Sequence, residues 1–257
     1  MKALHSTTSR IINILELISN NKEGYTLTEV SKLLEIPKTS LSPILKTLAY
    51  YNYLAYNEIT LKYSIYIGIL SVSSSVNKNN AIVKFIKEEM NKIVGSCNEI
   101  CQLGVLDKDE VLYVEKVNAS NPIQLATSVG VQFPANCSAL GKALLYKHSF
   151  KELKNVFPGE LERRTENTIT SIKDLYEDII KIDQNGYATE KEEGMKEVEC
   201  IAVPIIKDNL VLAAISVSIP LFRSSQKKKD KVIDLLTESR KKVEKYISNM
   251  NVKSIFD

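Results

Sequence analysis

Short amphipathic segments separated by polar breaks make up the first third of the chain. Apolar side chains recur at helical spacing in residues 10–18, which predicts a first helix. A second helix is predicted over 26–35, because Thr26 and Glu29 have the spacing of a capping box. The apolar stripe of residues 39–50 predicts a third helix.

The break between the second and third helices is short, and a hairpin follows them. Pro37 disfavours helical geometry at Ile36, so a tight corner is expected there. Residues 53–56 and 61–65 read as two short strands around a polar turn. Three small helices, a tight corner and a hairpin are the parts of a winged helix-turn-helix, and this pattern favours DNA binding.

Longer helices and strand-like runs fill the rest of the chain. Strands are predicted over 100–106, 111–117, 123–129, 187–190, 200–206 and 210–219. Helices are predicted over 80–95, 138–148, 150–156, 172–184 and 224–249. Hairpin strands with helices before, between and after them indicate an α+β fold. We therefore divide the chain into a winged helix-turn-helix domain (1–65), a helical linker (66–79) and an α+β domain (80–257).

The positive charge of the chain is concentrated in its first third. Residues 1–78 carry eight Lys or Arg and five Asp or Glu, a net charge of +3. Out of totals of 34 basic and 31 acidic residues, this leaves 26 of each for the remainder. A positive N-terminal segment favours a polyanion such as double-stranded DNA as the partner.

The composition narrows the class of protein. With 44% apolar and 25% charged residues, the chain is typical of a globular protein and not of a disordered one. No run approaches the roughly 18 uncharged apolar residues of a membrane span, and no apolar signal core follows Met1. We therefore expect a cytoplasmic protein with no membrane partner. Two distant histidines and the lack of a C-x-x-C pair argue against a metal site, and no cofactor is expected.

Catalytic motifs are missing from the sequence. It contains no glycine-rich phosphate loop, no H-E-x-x-H and no G-x-S-x-G, so no catalytic residue is predicted and we do not expect an enzyme. A cysteine-dependent enzyme is one alternative, with Cys137 or Cys200 as the nucleophile and His148 as the base. A small-molecule sensor or interaction module without specific DNA binding is another.

A series of motifs runs through the chain in a fixed order. The first third contains Leu27–Ser31, Ile36–Ser40 and Ile44–Leu48. The remainder contains Gly130–Ala143, Asn167–Thr170, Gly186–Tyr187, Glu192–Glu193, Val198–Pro204 and Ala213–Ser218. Together, over roughly residues 8–249, they resemble the IclR family of bacterial transcriptional regulators. The resemblance implies a winged helix joined by a helical linker to a GAF-like effector-binding domain.

A site for a small organic acid is the main functional implication of this resemblance. Ser138 can cap the helix that follows it, and a helix start suits an anion. The resemblance implies that the N–H groups of Ala139 and Leu140 hold the carboxylate of the effector. It also implies apolar walls at Leu125, Phe133 and Val198, and polar contacts at Glu190, Cys200, Ser216 and Ser218.

The start of the third helix is the predicted DNA-contacting surface. Thr39, Ser40 and Ser42 are expected near base edges or phosphates, while Lys38 and Lys46 should contact phosphates. The expected function is a ligand-responsive repressor whose affinity for its operator changes with a small organic acid. We expect a homodimer formed through the first helix and the linker, which the family often pairs into tetramers.

Three residues depart from the family pattern. Glu190 stands where aspartate is usual, so an ionised carboxylate there would repel an anionic ligand unless it is protonated or accepts a ligand hydroxyl. Glu197 replaces a frequent glycine, and Pro43 replaces a frequent arginine. Pro43 fits in the first turn of the third helix if Thr39 or Ser40 is the cap.

Overall fold

The computed structural model describes residues 5–77, 80–121 and 127–256 of the chain. Contacts within the chain divide it into two units, Met1–Asn79 and Asn80–Asp257. Among the described residues, no helix has both the length and the apolarity that crossing a lipid bilayer requires.

The described part of the first unit consists of helices and three short strands. The elements are α1 (Ser6–Ser19), β1 (Tyr25–Thr26), α2 (Leu27–Leu33), α3 (Lys38–Tyr50), β2 (Leu54–Asn57), β3 (Lys62–Ile65) and α4 (Gly68–Asn77). The strands form an antiparallel sheet in the order β1-β3-β2. One core joins the first three helices to this sheet through Ile14, Ile18, Val30, Ile36, Leu41, Leu45, Leu54 and Tyr63. The predicted winged helix-turn-helix is confirmed.

Local hydrogen bonds set the corner between α2 and α3. The predicted capping box is present: Glu29 Oε2 accepts the N–H of Thr26 at 2.7 Å, and Thr26 Oγ1 accepts the N–H of Glu29 at 3.3 Å. At the other end of α2, the Ser31 hydroxyl donates to the carbonyl of Ile36 at 2.7 Å. The start of α2 is therefore capped within the segment itself, and the Ser31 hydroxyl fixes the corner that follows the helix.

The condition that would place Pro43 in the first turn of α3, a cap at Thr39 or Ser40, is not met. The carbonyl of Pro37 accepts the N–H of Ser40 at 3.0 Å, which puts Pro37 at the cap position. Pro43 consequently lies in the second turn, where the helix loses the backbone bond to the Thr39 carbonyl. The helix continues through this position because its buried face is anchored in the core on both sides of the proline.

The second unit is built on one antiparallel sheet. Its strands are β4 (Ile100–Asp107), β5 (Glu110–Val117), β6 (Gln132–Pro134), β7 (Ala188–Lys191), β8 (Val198–Lys207) and β9 (Leu210–Pro220). Its helices are α5 (Ala81–Cys97), α6 (Ala139–Leu144), α7 (Phe150–Val156), α8 (Ile172–Ile179), α9 (Ile182–Asn185) and α10 (Gln226–Ile247). In the described part of the chain the strand order is β6-β5-β4-β9-β8-β7.

Helices cover both faces of this sheet. The long helices α5 and α10 pack on one face and form the larger apolar core with the sheet. Helices α6 to α9 pack on the other face over a second core. Because successive side chains of a strand point to opposite faces, each strand contributes to both cores. The predicted α+β fold is confirmed.

Some predicted boundaries are wrong. In the strand predicted over 123–129, the first four positions lie outside the described residues and 127–129 form no strand. The short strand β6 follows instead. The helix predicted over 138–148 ends at Leu144. Beyond it, backbone hydrogen bonds join residues three positions apart, as in a 3₁₀ turn, and the α-helix does not continue. The helix predicted over 172–184 divides into α8 and α9 for the same reason.

Candidate functional site

A cavity lies between one face of the six-stranded sheet and the start of α6. It is lined by Gln102, Tyr113, Thr127, Phe133, Cys137, Ser138, Ala139, Leu140, Glu190, Gly194, Met195, Val198, Cys200, Ser216 and Ser218. The centre of a water molecule can reach about 50 Å³ of this space. One water needs about 10–15 Å³ by this measure, so the cavity suits a molecule of a few heavy atoms.

Strand register brings the polar lining residues together. Cys200 on β8 lies opposite both Glu190 on β7 and Ser218 on β9. Gln102 on β4 lies opposite Ser216 on β9. Directly opposite residues of antiparallel strands have neighbouring side chains on one face. The sheet therefore presents a polar row to the start of α6.

Two glycines permit the close packing that shapes the cavity. A Cβ at Gly141 in α6 would lie 2.0 Å from the carbonyl oxygen of Ala135. A Cβ at Gly194 would lie 2.8 Å from the carbonyl oxygen of Cys137 and 2.9 Å from the ring of Phe133. No side chain fits at either distance, so only glycine lets these segments meet.

The start of α6 offers backbone donors to the cavity. The Ser138 hydroxyl accepts the N–H of Gly141 at 3.0 Å, and the Ser138 carbonyl accepts the N–H of Lys142 at 3.0 Å. The N–H groups of Ala139 and Leu140 come before the first intrahelical bond and have no acceptor within the helix. Both residues line the cavity, so these donors suit a carboxylate.

A chain of hydrogen bonds crosses the floor of the cavity. The Cys200 thiol lies 3.2 Å from the Ser218 hydroxyl, which donates to Gln102 Oε1 at 3.2 Å. The Gln102 amide then donates to Thr127 Oγ1 at 2.7 Å. Ser218 is thus engaged by the protein itself, and its orientation is fixed before any ligand arrives.

Glu190 is a buried carboxyl at the edge of the cavity. Only 5% of it is exposed, and Oε2 accepts the N–H of Glu193 at 2.9 Å. Burial raises the pKa of Glu190 to about 7, because desolvation outweighs the hydrogen bonds from Cys200 and the Glu193 N–H. Near neutral pH the group therefore divides between the neutral and the ionised form.

The cavity thiols are poor nucleophiles. Burial raises the pKa of Cys137 to about 12 and the pKa of Cys200 well above its ordinary value. Since the thiolate is the reactive form, both remain protonated and inert at neutral pH. This speaks against the cysteine-dependent enzyme. In the part of the chain that the structure describes, no group of three or more His, Cys, Asp or Glu is arranged to hold a metal ion.

Behind the cavity, a buried lysine ties α6 to the loop of residues 192–197 between β7 and β8. Lys142 is 1% exposed, and its Nζ lies 2.5 Å from Glu193 Oε1 and 2.7 Å from Asp178 Oδ2. Burial works to raise the pKa of Asp178, but its ion pairs with Lys142 and Lys181 lower it overall. For Glu193, burial outweighs Lys142 and raises the pKa. The loop that carries Glu193 is therefore fixed to the helix whose start faces the cavity.

The position of Glu197 explains the glycine that the family pattern favours there. Its φ is 60°, in the left-handed region that side chains rarely adopt. Its N–H donates to Glu192 Oε1 at 2.9 Å, and Glu192 itself has a φ of 56°. The loop is retained with glutamate, at a cost in backbone strain.

The cavity gathers the predicted effector residues, with one exception. The residues it brings together are Phe133, Ala139, Leu140, Glu190, Val198, Cys200, Ser216 and Ser218. Leu125 lies outside the described residues. Gln102, Tyr113 and Met195 line the cavity but were missed. Gln102 was detectable as the polar residue within the apolar strand β4, whereas nothing local marks Tyr113 or Met195.

The predicted DNA-contacting residues share the outer surface of α3. Lys38, Thr39, Ser40 and Lys46 are exposed and Ser42 is half-buried. The buried face of the helix carries Leu41 and Leu45 in the core of the first unit. Among the described residues neither lysine forms an ion pair, so both are available to phosphates. Pro43 is also exposed and leaves no long basic side chain at its position.

Comparison with known proteins identifies both parts of the chain. The family profile described as "IclR helix-turn-helix domain" matches residues 7–58. The profile described as "Bacterial transcriptional regulator IclR C-terminal" matches residues 74–245.

Similar proteins extend over nearly the whole chain. The transcriptional regulator KdgR of Escherichia coli (strain K12) is 26% identical over 240 residues, covering 93% of this chain and 91% of KdgR. The repressor AllR of the same strain is 23% identical over 219 residues, covering 84% and 81%. An IclR homologue from Microbacterium hydrocarbonoxydans, solved in complex with 4-hydroxybenzoate, has a TM-score of 0.77 at 19% identity and covers 93% and 97%.

Proposed function

The chain belongs to the IclR family of bacterial transcriptional regulators, and on this premise we propose that it is a repressor controlled by a small organic acid. Residues 1–65 bind operator DNA, residues 66–79 link the domains, and residues 80–257 bind the effector. The division of the chain between Asn79 and Asn80 supports this assignment. The effector biases the arrangement of the domains and thereby the affinity for the operator.

One observation carries the proposal: eight residues predicted to bind the effector converge on one cavity at the start of α6. The effector's carboxylate accepts the N–H groups of Ala139 and Leu140, and Phe133 and Val198 form apolar walls. A few polar groups in an apolar cavity are typical of a small-molecule site. The 4-hydroxybenzoate in the homologue from Microbacterium hydrocarbonoxydans is also a carboxylate, which supports the class of ligand.

Glu190 makes effector binding depend on pH. An ionised carboxylate beside the effector's carboxylate repels it, whereas the neutral form donates a hydrogen bond. Because burial raises the pKa of Glu190 to about 7, the acid binds with uptake of a proton near neutral pH. Glu190 replaces the aspartate that is usual in the family, and in its neutral form it does not exclude an anionic effector.

DNA recognition uses the exposed surface of α3. Thr39, Ser40 and Ser42 contact base edges or phosphates, and Lys38 and Lys46 contact phosphates. The exposed position of these side chains opposite the buried leucines supports this orientation.

A homodimer presents two such helices to two half-sites of the operator. Ile12 in α1 is 50% exposed, Ile67 just before α4 is 63% exposed, and Leu70 in α4 is 64% exposed. Large apolar side chains that are left exposed are typical of a surface that another subunit covers. We place the dimer contact there and the pairing of dimers into tetramers on the C-terminal domain.

The test is salt-dependent binding of the full-length protein to the DNA upstream of its own gene, followed by fluorescence anisotropy. Lys46→Ala should weaken binding to all sequences and reduce the salt slope by about one unit, the effect of one phosphate contact. Lys151→Ala, an exposed lysine of α7, is the matched control. Carboxylic acids of two to four carbons are then added to the wild-type complex.

Each outcome has a distinct meaning. A slope that Lys46→Ala leaves unchanged contradicts the docking of α3. Equal binding to operator and random DNA favours an interaction module without specific DNA binding. Binding that no acid alters, together with no acid-induced thermal shift, contradicts the effector class.

A further inference from the structure

One residue of the cavity lining also faces the solvent. Met195 lies in the 192–197 loop and lines the cavity. It is 43% exposed, whereas Gln102, Tyr113 and Leu140 on the other walls are buried. Of the described residues that line the cavity, Met195 is the most exposed. A residue that meets both the cavity and bulk solvent forms part of the wall that separates them.

The first half of this loop is fixed in place. The N–H of Glu193 donates to Glu190 Oε2 at 2.9 Å, and the hydroxyls of Thr165 and Thr168 donate to the Glu193 carbonyl at 3.1 and 2.6 Å. The Glu193 carboxylate pairs with the buried Lys142 at 2.5 Å. Raising the loop as a unit would break these contacts together and leave buried polar groups unpaired, which is unfavourable.

The second half of the loop is held less firmly. Gly194 is in close contact with the ring of Phe133 and continues the fixed part. Beyond Met195, Lys196 pairs with Glu166 at 3.1 Å, but both side chains are more than 70% exposed, and such a surface pair contributes little. Methionine is unbranched and has three rotatable side-chain bonds. The Met195 side chain can therefore move while the backbone before it stays in place.

The other described walls of the cavity belong to packed elements. Ser216 and Ser218 on β9 and Ala139 at the start of α6 are buried. Entry past them would require the sheet and α6 to separate, which disrupts close packing, whereas a side chain changes rotamer at a much smaller cost. Among the walls that the structure describes, rotation of Met195 is the least costly way into the cavity.

Resting on the proposed function, we propose that Met195 is the gate of the effector cavity and limits the size of the molecules that enter it. In its closed position the side chain separates the bound effector from solvent, and its rotation admits and releases the effector. The anchored backbone of Glu193 and Gly194 fixes the width of the opening, so compact molecules pass and bulkier ones do not. Met195 thus determines specificity through access and adds no polar contact to the ligand.

Chemical labelling of a thiol inside the cavity measures access without any effector. Ser216→Cys places this reporter on β9, in the full-length protein. The probes are methyl and benzyl methanethiosulfonate, which share one thiol chemistry and differ in size, so the ratio of their rates cancels the reactivity of the thiol itself. Peptide mass spectrometry follows the reporter separately from the native cysteines. Labelling of Cys101, which is fully buried in the core on the opposite face of the sheet, reports unfolding.

Removal of the gate should speed up labelling of the reporter. A minor open state is typically populated to about 10% or less, so Met195→Ala should raise the rate about tenfold or more. The rise should be larger for the benzyl reagent than for the methyl reagent. Met195→Leu, which nearly conserves the volume, should label at close to the rate of the reporter protein with Met195 intact. Lys196→Ala is the matched control, because this neighbouring residue is exposed and does not line the cavity.

Several outcomes would overturn the proposal. An unchanged rate in Met195→Ala would show that Met195 does not control entry, and an equal rise for both reagents would show that it does not select by size. An equal rise in Lys196→Ala would assign the control to the loop as a whole. If Met195→Ala also exposes Cys101 through unfolding, Met195→Val is judged by the same criteria. The labelling uses no acid, so an unchanged rate refutes the gate and leaves the proposed function intact, whereas failure of the acid tests above refutes that function whatever the labelling shows.

Discussion

Replacing Glu190 by glutamine removes a carboxyl that the fold keeps in a poorly hydrated place. The side chain is 5% exposed, and burial raises its pKa from an ordinary 4.5 to about 7. Between pH 4.5 and about pH 7, Glu190 of the folded protein retains a proton that the unfolded chain has released. The free energy of unfolding must therefore fall as the pH rises through this interval.

The size of the effect follows from the two pKa values. Each unit of difference is worth about 1.4 kcal/mol, so the shift from 4.5 to about 7 corresponds to roughly 3 kcal/mol. Wild-type protein loses this stability between about pH 4.5 and pH 7. Glu190→Gln does not titrate, and its amide oxygen can still accept the N–H of Glu193. The variant should match the wild type near pH 4 and exceed it by up to about 3 kcal/mol at pH 8.

Urea unfolding from pH 4 to 8.5, followed by circular dichroism, measures the difference. Glu160→Gln, an exposed glutamate before α8, is the matched control and should track the wild type at every pH. Parallel curves for wild type and Glu190→Gln would refute the reasoning, because they would mean that burial does not retain the proton. A variant that is less stable at pH 8 would show that the ionised form is the native one.

Three further substitutions test other parts of the structure. Lys142→Met leaves the carboxylates of Glu193 and Asp178 without their buried partner and should cost about 3–5 kcal/mol in urea unfolding; a loss below about 1 kcal/mol would contradict the pairing. Glu197→Gly relieves about 1–2 kcal/mol of left-handed strain. Since glycine loses about 0.5–1 kcal/mol of backbone entropy, a small rise in the thermal midpoint is expected, and a fall would contradict it. Ile12→Lys should convert a dimer to a monomer in sedimentation velocity, whereas an unchanged dimer or a monomeric wild type would disprove the proposed contact.

Local interactions explain which features could be predicted. The capping box of Thr26 and Glu29 and the corner at Pro37 depend on neighbours within a few residues, so the winged helix-turn-helix is readable from its segment alone. The cap of α6 at Ser138 is local in the same sense. The strands that carry Glu190 and Ser218 are also marked by their patterns, although their ends shift by a residue or two.

The residues that form the candidate effector site cannot be predicted from local patterns, and the family motifs were needed to predict them. Ala139, Cys200 and Ser216 lie on different elements, and the resemblance to the family predicts that they share one cavity. The hydrophobic pattern could not do so, because the pairing of β4 with β9 joins segments about 100 residues apart in the sequence, and no local rule specifies such a contact.

Only the tertiary structure reveals the surroundings of Tyr113 and Lys142. A tyrosine in an apolar strand reads as a core residue, and its place in the cavity lining becomes evident only when β5 lies beside the cavity. Lys142 lies in a six-residue helix, where a lysine side chain is expected to be exposed to solvent. It is instead 1% exposed and forms ion pairs with Asp178 and Glu193. The sequence by itself determines the elements, because backbone preferences and caps act over a few residues. Burial and pairing of polar groups depend on which distant segments meet, and that is decided only when the sheet and α6 pack together.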